Sequence, residues 1–179
     1  MRTLFELAYT YGWRHGELLG LRVNQISIVE HTIRLNPGET KNEKGREVTM
    51  TPLLCQLLLE CVRGKGPADR VLTRDNSQPV VDFRWTWEQA TVKAGVPGLL
   101  FHDLRRTAVR NMIRAGISEA VAMKISGHKT RSVFDRYNVT SQADISEAIG
   151  KLVSQRTIRV ESEIADLPAI SKMAAARLN

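Results

Sequence analysis

The sequence predicts a mostly helical α+β domain, a helical bundle with a small three-stranded antiparallel sheet near its N-terminus. Three observations carry this. Apolar residues recur at i, i+3, i+4 spacing over most of the 179 residues. The period drops to two only once, between residues 25 and 50, where β-branched residues gather. Composition is that of an ordinary globular chain, 42% hydrophobic and 25% charged. A chain of this length buries roughly 70% of its unfolded surface and needs no disulfide or metal staple.

The elements follow in order. Leu4, Leu7, Ala8 and Tyr11 share one face of a helix over residues 2–10, and Gly12 ends it. Leu18, Leu19 and Leu21 mark a second helix over 15–22. Gln25 to Glu30, Thr32 to Leu35 and Arg46 to Met50 are strands, with a turn at Asn36-Pro37-Gly38 and a polar loop over 39–45. Thr51 caps a helix that has Pro52 in its first turn and runs to about Arg63. Val81 to Ala94 is a helix with Phe83, Trp87 and Ala90 inward, and residues 102–115 form another, stopped by Gly116. Ser118 caps a helix that ends at Gly127, and Arg131 to Tyr137 is a short helix. Residues 142–155 are amphipathic, with Ile145, Ala148, Ile149, Leu152 and Val153 on one side.

Charge narrows the function. The formal net charge is +7 and the pI about 9.8, the electrostatic signature of nucleic-acid binders. Residues 101–140 alone hold 8 basic and 3 acidic side chains, most of the excess. No run of about 18 apolar residues exists, so no membrane-spanning helix is expected. Glu6 stands where a signal peptide needs apolar residues. Cys55 and Cys61, six residues apart, point to different faces of a helix and suit neither a bridge nor zinc. A reducing cytoplasm fits.

The helix over 102–115 holds a contradiction. Leu104, Ala108, Val109, Met112 and Ile113 form its apolar arc, while Asp103, Arg106, Arg110 and Arg114 lie opposite. His102 and Arg105 fall inside the apolar arc, one turn apart. An arginine is almost never buried unpaired. Either the pair is satisfied in the core, with a carboxylate such as Glu17, or it lines a cleft where an anion docks. Arg14 opens a helix, where backbone N–H groups attract phosphate. His128 follows Gly127 at a helix end, and Tyr137 comes nine residues later.

Taken together these residues resemble the tyrosine recombinase family, the phage-type integrases. Gly12-Trp13-Arg14-His15-Gly16-Glu17-Leu18-Leu19-Gly20-Leu21-Arg22 resembles its first arginine motif. Thr40-Lys41-Asn42, followed by Arg46-Glu47-Val48, resembles its β-hairpin lysine segment. His102-Asp103-Leu104-Arg105-Arg106-Thr107 is similar to its His-x-x-Arg motif, and Gly127-His128 with Tyr137 to its second histidine and nucleophile. Four motifs stand in order over roughly residues 1–150. Tyr11 and Val23 depart from the common threonine and aromatic, at positions that carry no chemistry in the family.

The resemblance implies a catalytic domain over residues 1–157 and a tail over 158–179, in a bacterial or phage-encoded protein. It also implies a helical core-binding domain ahead of Met1 that this chain does not contain. The implied reaction is transesterification at a DNA phosphodiester by Tyr137, giving a 3′-phosphotyrosine and a free 5′-hydroxyl without ATP or metal. A phenol has a solution pKa of about 10 and needs activation. Arg14 and Arg105 suit the charge that grows on the non-bridging oxygens. His102 and His128 donate to those oxygens or take the phenolic proton. Lys41 is the acid for the leaving 5′-oxygen, with Lys44 as rival, and Glu17 orients Arg14 or Arg105. Arg106, Arg110, Lys44, Lys129 and Arg131 are expected to contact DNA. The implied partners are double-stranded DNA and other recombinase protomers, four in a synapse, with the 142–155 helix either docking on a neighbour or packing on its own domain. No cofactor is expected and no acidic cluster has metal-ligand spacing. A type IB topoisomerase-like relaxing enzyme and a non-catalytic DNA-binding module are the alternatives.

Overall fold

Leu4, Leu7, Ala8 and Tyr11 form the buried stripe of the first helix, α1 (Arg2–Tyr11), at the spacing expected. The computed structural model describes residues 1–36, 45–75, 78–138 and 142–165. Gly12 ends α1 at φ 67°, its N–H bonded to Ala8 O. A side chain there would be disfavoured by φ and would sit 3.1 Å from Ala108 Cβ, so glycine permits a close approach to residue 108.

After α2 (His15–Gly20) and a short 3-10 turn over Val23–Gln25 come three strands, β1 (Ile26–Ser27), β2 (Thr32–Leu35) and β3 (Arg46–Thr49). They pair antiparallel in the order β1-β2-β3, with Ile33 opposite Val48 and Leu35 opposite Arg46. Period-two alternation buries Ile33 and Leu35 on β2 and Arg46 and Val48 on β3. The expected turn at Asn36-Pro37-Gly38 and the loop with Lys41 and Lys44 lie outside the described residues, apart from Asn36 and Gly45.

Helix α3 (Pro52–Val62) begins as expected. Thr51 Oγ1 accepts from Leu54 N at 3.2 Å, Pro52 occupies the first turn, and Leu54 and Leu58 are fully buried. Helix α4 (Arg84–Lys93) differs from expectation. It starts three residues late, where Asp82 Oδ1 accepts from Arg84 N at 2.9 Å, and Ala90 is exposed. The inward stripe is Phe83, Trp87 and Thr91. Thr91 is buried without penalty because its hydroxyl donates to Glu88 O at 2.9 Å. Phe101 packs edge-on against both Phe83 and Trp87, with centroids 4.7 and 5.1 Å away.

Helix α5 (Asp103–Arg114) joins two cores. Leu104 belongs to the larger one, built from α1, α2, α3 and the sheet. Ala108, Val109 and Met112 form a second with Ala122 and Phe134. Those two come from α6 (Glu119–Ser126) and α7 (Arg131–Asp135). Ser118 stands at the N-cap of α6, but its side chain makes no capping hydrogen bond there. Met1–Val139 is one compact unit. The second unit carries α8 (Gln142–Ala165), longer than the 142–155 helix expected. Its apolar residues Ile145, Ile149, Leu152 and Val153 are exposed.

Leu7→Ala, removing a fully buried side chain of α1, should lower unfolding free energy by about 2–5 kcal/mol. Ile149→Ala, at an exposed position of α8, should stay within about 0.5 kcal/mol. Urea unfolding of the two variants side by side checks both.

Candidate active site

Arg105 sits in the first turn of α5 and is 2% exposed. Its partners are backbone carbonyls, not the carboxylate considered from sequence. Nη1 donates to Gly12 O, just past the end of α1, and to Ser126 O at 2.8 Å, the last residue of α6. Helix C-termini leave carbonyls without intrahelical donors and carry partial negative charge, so two helix ends converge on one guanidinium. Burial, then the charge of Arg14, lowers its pKa to about 10, which leaves it charged at neutral pH. Nη2 is buried with no hydrogen-bond partner. The guanidinium carbon lies 5.7 Å from the centroid of the Tyr137 ring.

His128 is 7% exposed, and a hydrogen-bond chain identifies its tautomer. Ser126 Oγ donates its single proton to Ala122 O at 2.7 Å. It therefore accepts from His128 Nδ1–H, also at 2.7 Å, and Nε2 carries the lone pair. That Nε2 is buried with no partner. Burial, then the positive charges of Arg105, Arg14, Arg46 and His102, lowers the pKa to about 3, so the ring is neutral.

His102 occupies the N-cap of α5. Its Nε2 is 3.1 Å from Tyr137 Oη, and desolvation followed by the charge of Arg105 holds it below the ordinary histidine value. Tyr137 is half-buried, its ring 4.9 Å from that of His128. Two anchors place it. Phe134, fully buried, accepts from Tyr137 N at 2.8 Å, and Asn138 Nδ2 donates to Glu119 Oε1 at 2.9 Å.

Arg14, at the N-cap of α2, stands by Glu17. The carboxylate accepts from Arg14 N at 2.9 Å and lies 3.4 Å from Arg14 Nη1. Glu17 is buried and also pairs with Arg46 Nη2 at 2.7 Å. The arginines paired with Glu17 are thus Arg14, as expected, and Arg46 in place of Arg105. Ser126 and Arg46 are the residues that sequence reasoning missed. Arg46 had a signal, since alternation in β3 puts it on the inward face with Val48.

The structure thus brings Arg105, His102, His128 and Tyr137 together, with the charge of Arg14 felt at Arg105 and both histidines. Lys41 and Lys44 lie outside the described residues. Arg106 and Lys129 are exposed, and Arg110 is half-buried with Nε unpartnered. Arg131 pairs with Glu119 and, at 3.6 Å, with Asp135. Among the described residues no group of His, Cys, Asp and Glu is arranged to hold a metal ion, and no helix is long and apolar enough to cross a membrane.

The family model described as the phage integrase family matches residues 1–143. The chain belongs to that family. It is 22% identical to the integrase of Salmonella phage P22 over 148 residues, 76% of this chain and 38% of that protein. It is 29% identical to the virulence plasmid integrase pGP8-D of Chlamydia muridarum over 138 residues, 74% and 41% of the two. It is 27% identical to a tyrosine recombinase of Thermosipho africanus over 158 residues, 84% and 53%. The chain therefore spans 38–53% of the length of these relatives. The fold matches XerA recombinase at TM-score 0.65 and 22% identity, covering 84% of this chain and 60% of that one. It matches the Tn1549 transposon integrase in complex with transposon right end DNA at 0.67 and 18%, covering 85% and 58%. These neighbours share the mostly helical fold with its small antiparallel sheet.

The depressed His128 pKa has a consequence in acid. The unfolded chain protonates this histidine near pH 6.5 and the folded chain only near 3. The unfolded state binds the extra proton between those values, so stability is lost as pH falls below about 6.5. Unfolding free energy at pH 5 should fall less in His128→Gln than in the unsubstituted chain, by about 2 kcal/mol relative to pH 7. Urea titrations at the two pH values read the difference directly.

Proposed function

We propose that the chain is the DNA breaking and rejoining part of a site-specific recombinase. The observation that carries this is the setting of Tyr137. Its hydroxyl is 3.1 Å from His102 Nε2, and its ring lies beside His128 and Arg105. In this reading Tyr137 Oη attacks a DNA phosphorus. A Tyr–O–P bond forms, the P–O5′ bond breaks, and a 3′-phosphotyrosine and a 5′-hydroxyl result. His102 Nε2 receives the phenolic proton. Arg105, through Nη2, and Arg14 hold the non-bridging oxygens, where charge grows. His128, neutral with an open Nε2, accepts a hydrogen bond or a proton in the same space. Lys41 delivers the proton to O5′. Reversal with a different 5′-hydroxyl rejoins the strand, and the ester energy is conserved, so no ATP enters.

The partners in this reading are double-stranded DNA and further protomers that exchange strands. Arg106, Arg110, Lys44, Lys129 and Arg131 are the backbone contacts, and the basic excess over residues 101–140 draws the duplex in. The printed description of the Tn1549 neighbour, a complex with transposon end DNA, supports this class of substrate.

The test is a pool of nicked duplex oligonucleotides of randomised sequence, screened for a covalent protein–DNA adduct. The unsubstituted chain should form an adduct and reveal its site. Tyr137→Phe should bind the recovered duplex and form none; an adduct that survives removes Tyr137 from the mechanism. Lys41→Ala should slow adduct formation by about 10²–10⁴-fold. A 5′-bridging phosphorothioate leaves without an acid and should restore the rate, and failure to restore it assigns the acid elsewhere.

A further inference from the structure

Arg46 lies on the inward face of β3, and its side chain is 6% exposed. A buried guanidinium is costly unless it is paired, so its neighbours show what it is for. Nη2 is 2.7 Å from Glu17 Oε2. The guanidinium carbon is 5.1 Å from the centroid of the Trp13 ring. Nη1 occupies the space that a Cβ on residue 127 would take, so a side chain there would displace the guanidinium, and φ 70° favours glycine.

Each neighbour adjoins one part of the candidate site. Glu17 holds Arg14 by its backbone N–H and its guanidinium. Trp13 lies between Gly12, whose carbonyl receives Arg105, and Arg14, and its indole N–H donates to Ile125 O at 2.8 Å. Gly127 lies between Ser126 and His128, which hydrogen-bond to each other. One buried guanidinium thus touches Trp13 and Glu17, which flank Arg14, and Gly127, which adjoins His128.

We propose that Arg46 is a positioning residue of the strand-transfer reaction. It aims Arg14 at the scissile phosphate through Glu17. It does not touch DNA. This rests on the phosphoryl-transfer reading above, and an adduct from the unsubstituted chain that disappears in Tyr137→Phe secures that reading separately.

The experiment compares two duplexes of the sequence recovered from the adduct, one with the ordinary phosphodiester and one with a neutral methylphosphonate at the scissile position. Arg46→Gln should slow adduct formation on the phosphodiester by about 10–100-fold, at or below the 10²–10³-fold span for loss of a direct oxyanion donor. On the methylphosphonate, which has less charge for Arg14 to neutralise, the deficit should shrink to about 3-fold or less. Arg46→Lys keeps the charge but not the planar fork, and should fall between. Arg14→Ala with Arg46→Gln should be no slower than Arg14→Ala alone, because the two act as a unit. Thermal unfolding sets a temperature at which each variant is folded; if Arg46→Gln does not fold, Arg46→Lys carries the same comparisons. Equal loss on both duplexes, or losses that multiply in the double variant, would overturn the proposal. So would a rate unchanged by Arg46→Gln in a chain whose adduct requires Tyr137.

Discussion

The burial of the Arg105 guanidinium between two helix ends is the constraint around which the domain is arranged. A charge removed from water needs partners of opposite polarity, and here Nη1 finds the carbonyls of Gly12 and Ser126. To supply them, α1 must end where α5 begins, and α6 must end close by. The left-handed glycine at residue 12 meets the first requirement, because it stops α1 and leaves room for Ala108. Gly127 meets the second by stopping α6 just after Ser126. The two cores that meet along α5 hold these ends in place.

The electrostatics of the site follow. Arg14, Arg46 and Arg105 face one described carboxylate among them, Glu17, which pairs with Arg14 and Arg46. Burial first, and then the excess positive charge, keeps His128 neutral and lowers the basicity of His102. The cluster therefore combines charged guanidiniums with a neutral imidazole. Arg105 Nη2 is buried without a hydrogen-bond partner, and the ring of Tyr137 lies next to the guanidinium.

Several side chains of the cluster make more than one of these contacts. Ser126 ends a helix, gives a carbonyl to Arg105 and sets the tautomer of His128. Glu17 closes the first turn of α2 by reaching back to Arg14 N, and it also pairs two guanidiniums. Such sharing leaves little slack. A shift in one segment moves the groups of its neighbours, and densely packed interiors pass strain on instead of absorbing it.

Much of this was legible in the amino-acid order. Helical spacing located α1, α3 and α5, alternation located β2 and β3, and four motifs marked Arg14, His102, Arg105, His128 and Tyr137. Local patterns report which face of an element is apolar, and a polar residue inside that face is visible without coordinates. What pairs with such a residue is not, because partners distant in sequence meet only when helices pack. Glu17 was a plausible partner for Arg105 by charge, yet carbonyls took that place and Arg46, 29 positions along the chain, took the carboxylate. The inward stripe of α4 was misjudged for a related reason. Thr91 looks polar from sequence and Ala90 apolar, and only the packed helix shows the threonine hydroxyl satisfied by Glu88 O. The sequence by itself determined most of the elements, the helix stops and the residue types of the candidate site, since these depend on neighbours a few positions apart. Tertiary structure alone decided that Nδ1 of His128 carries its proton and that Arg46 lies under Gly127, because both depend on atoms that meet only after the chain has closed on itself.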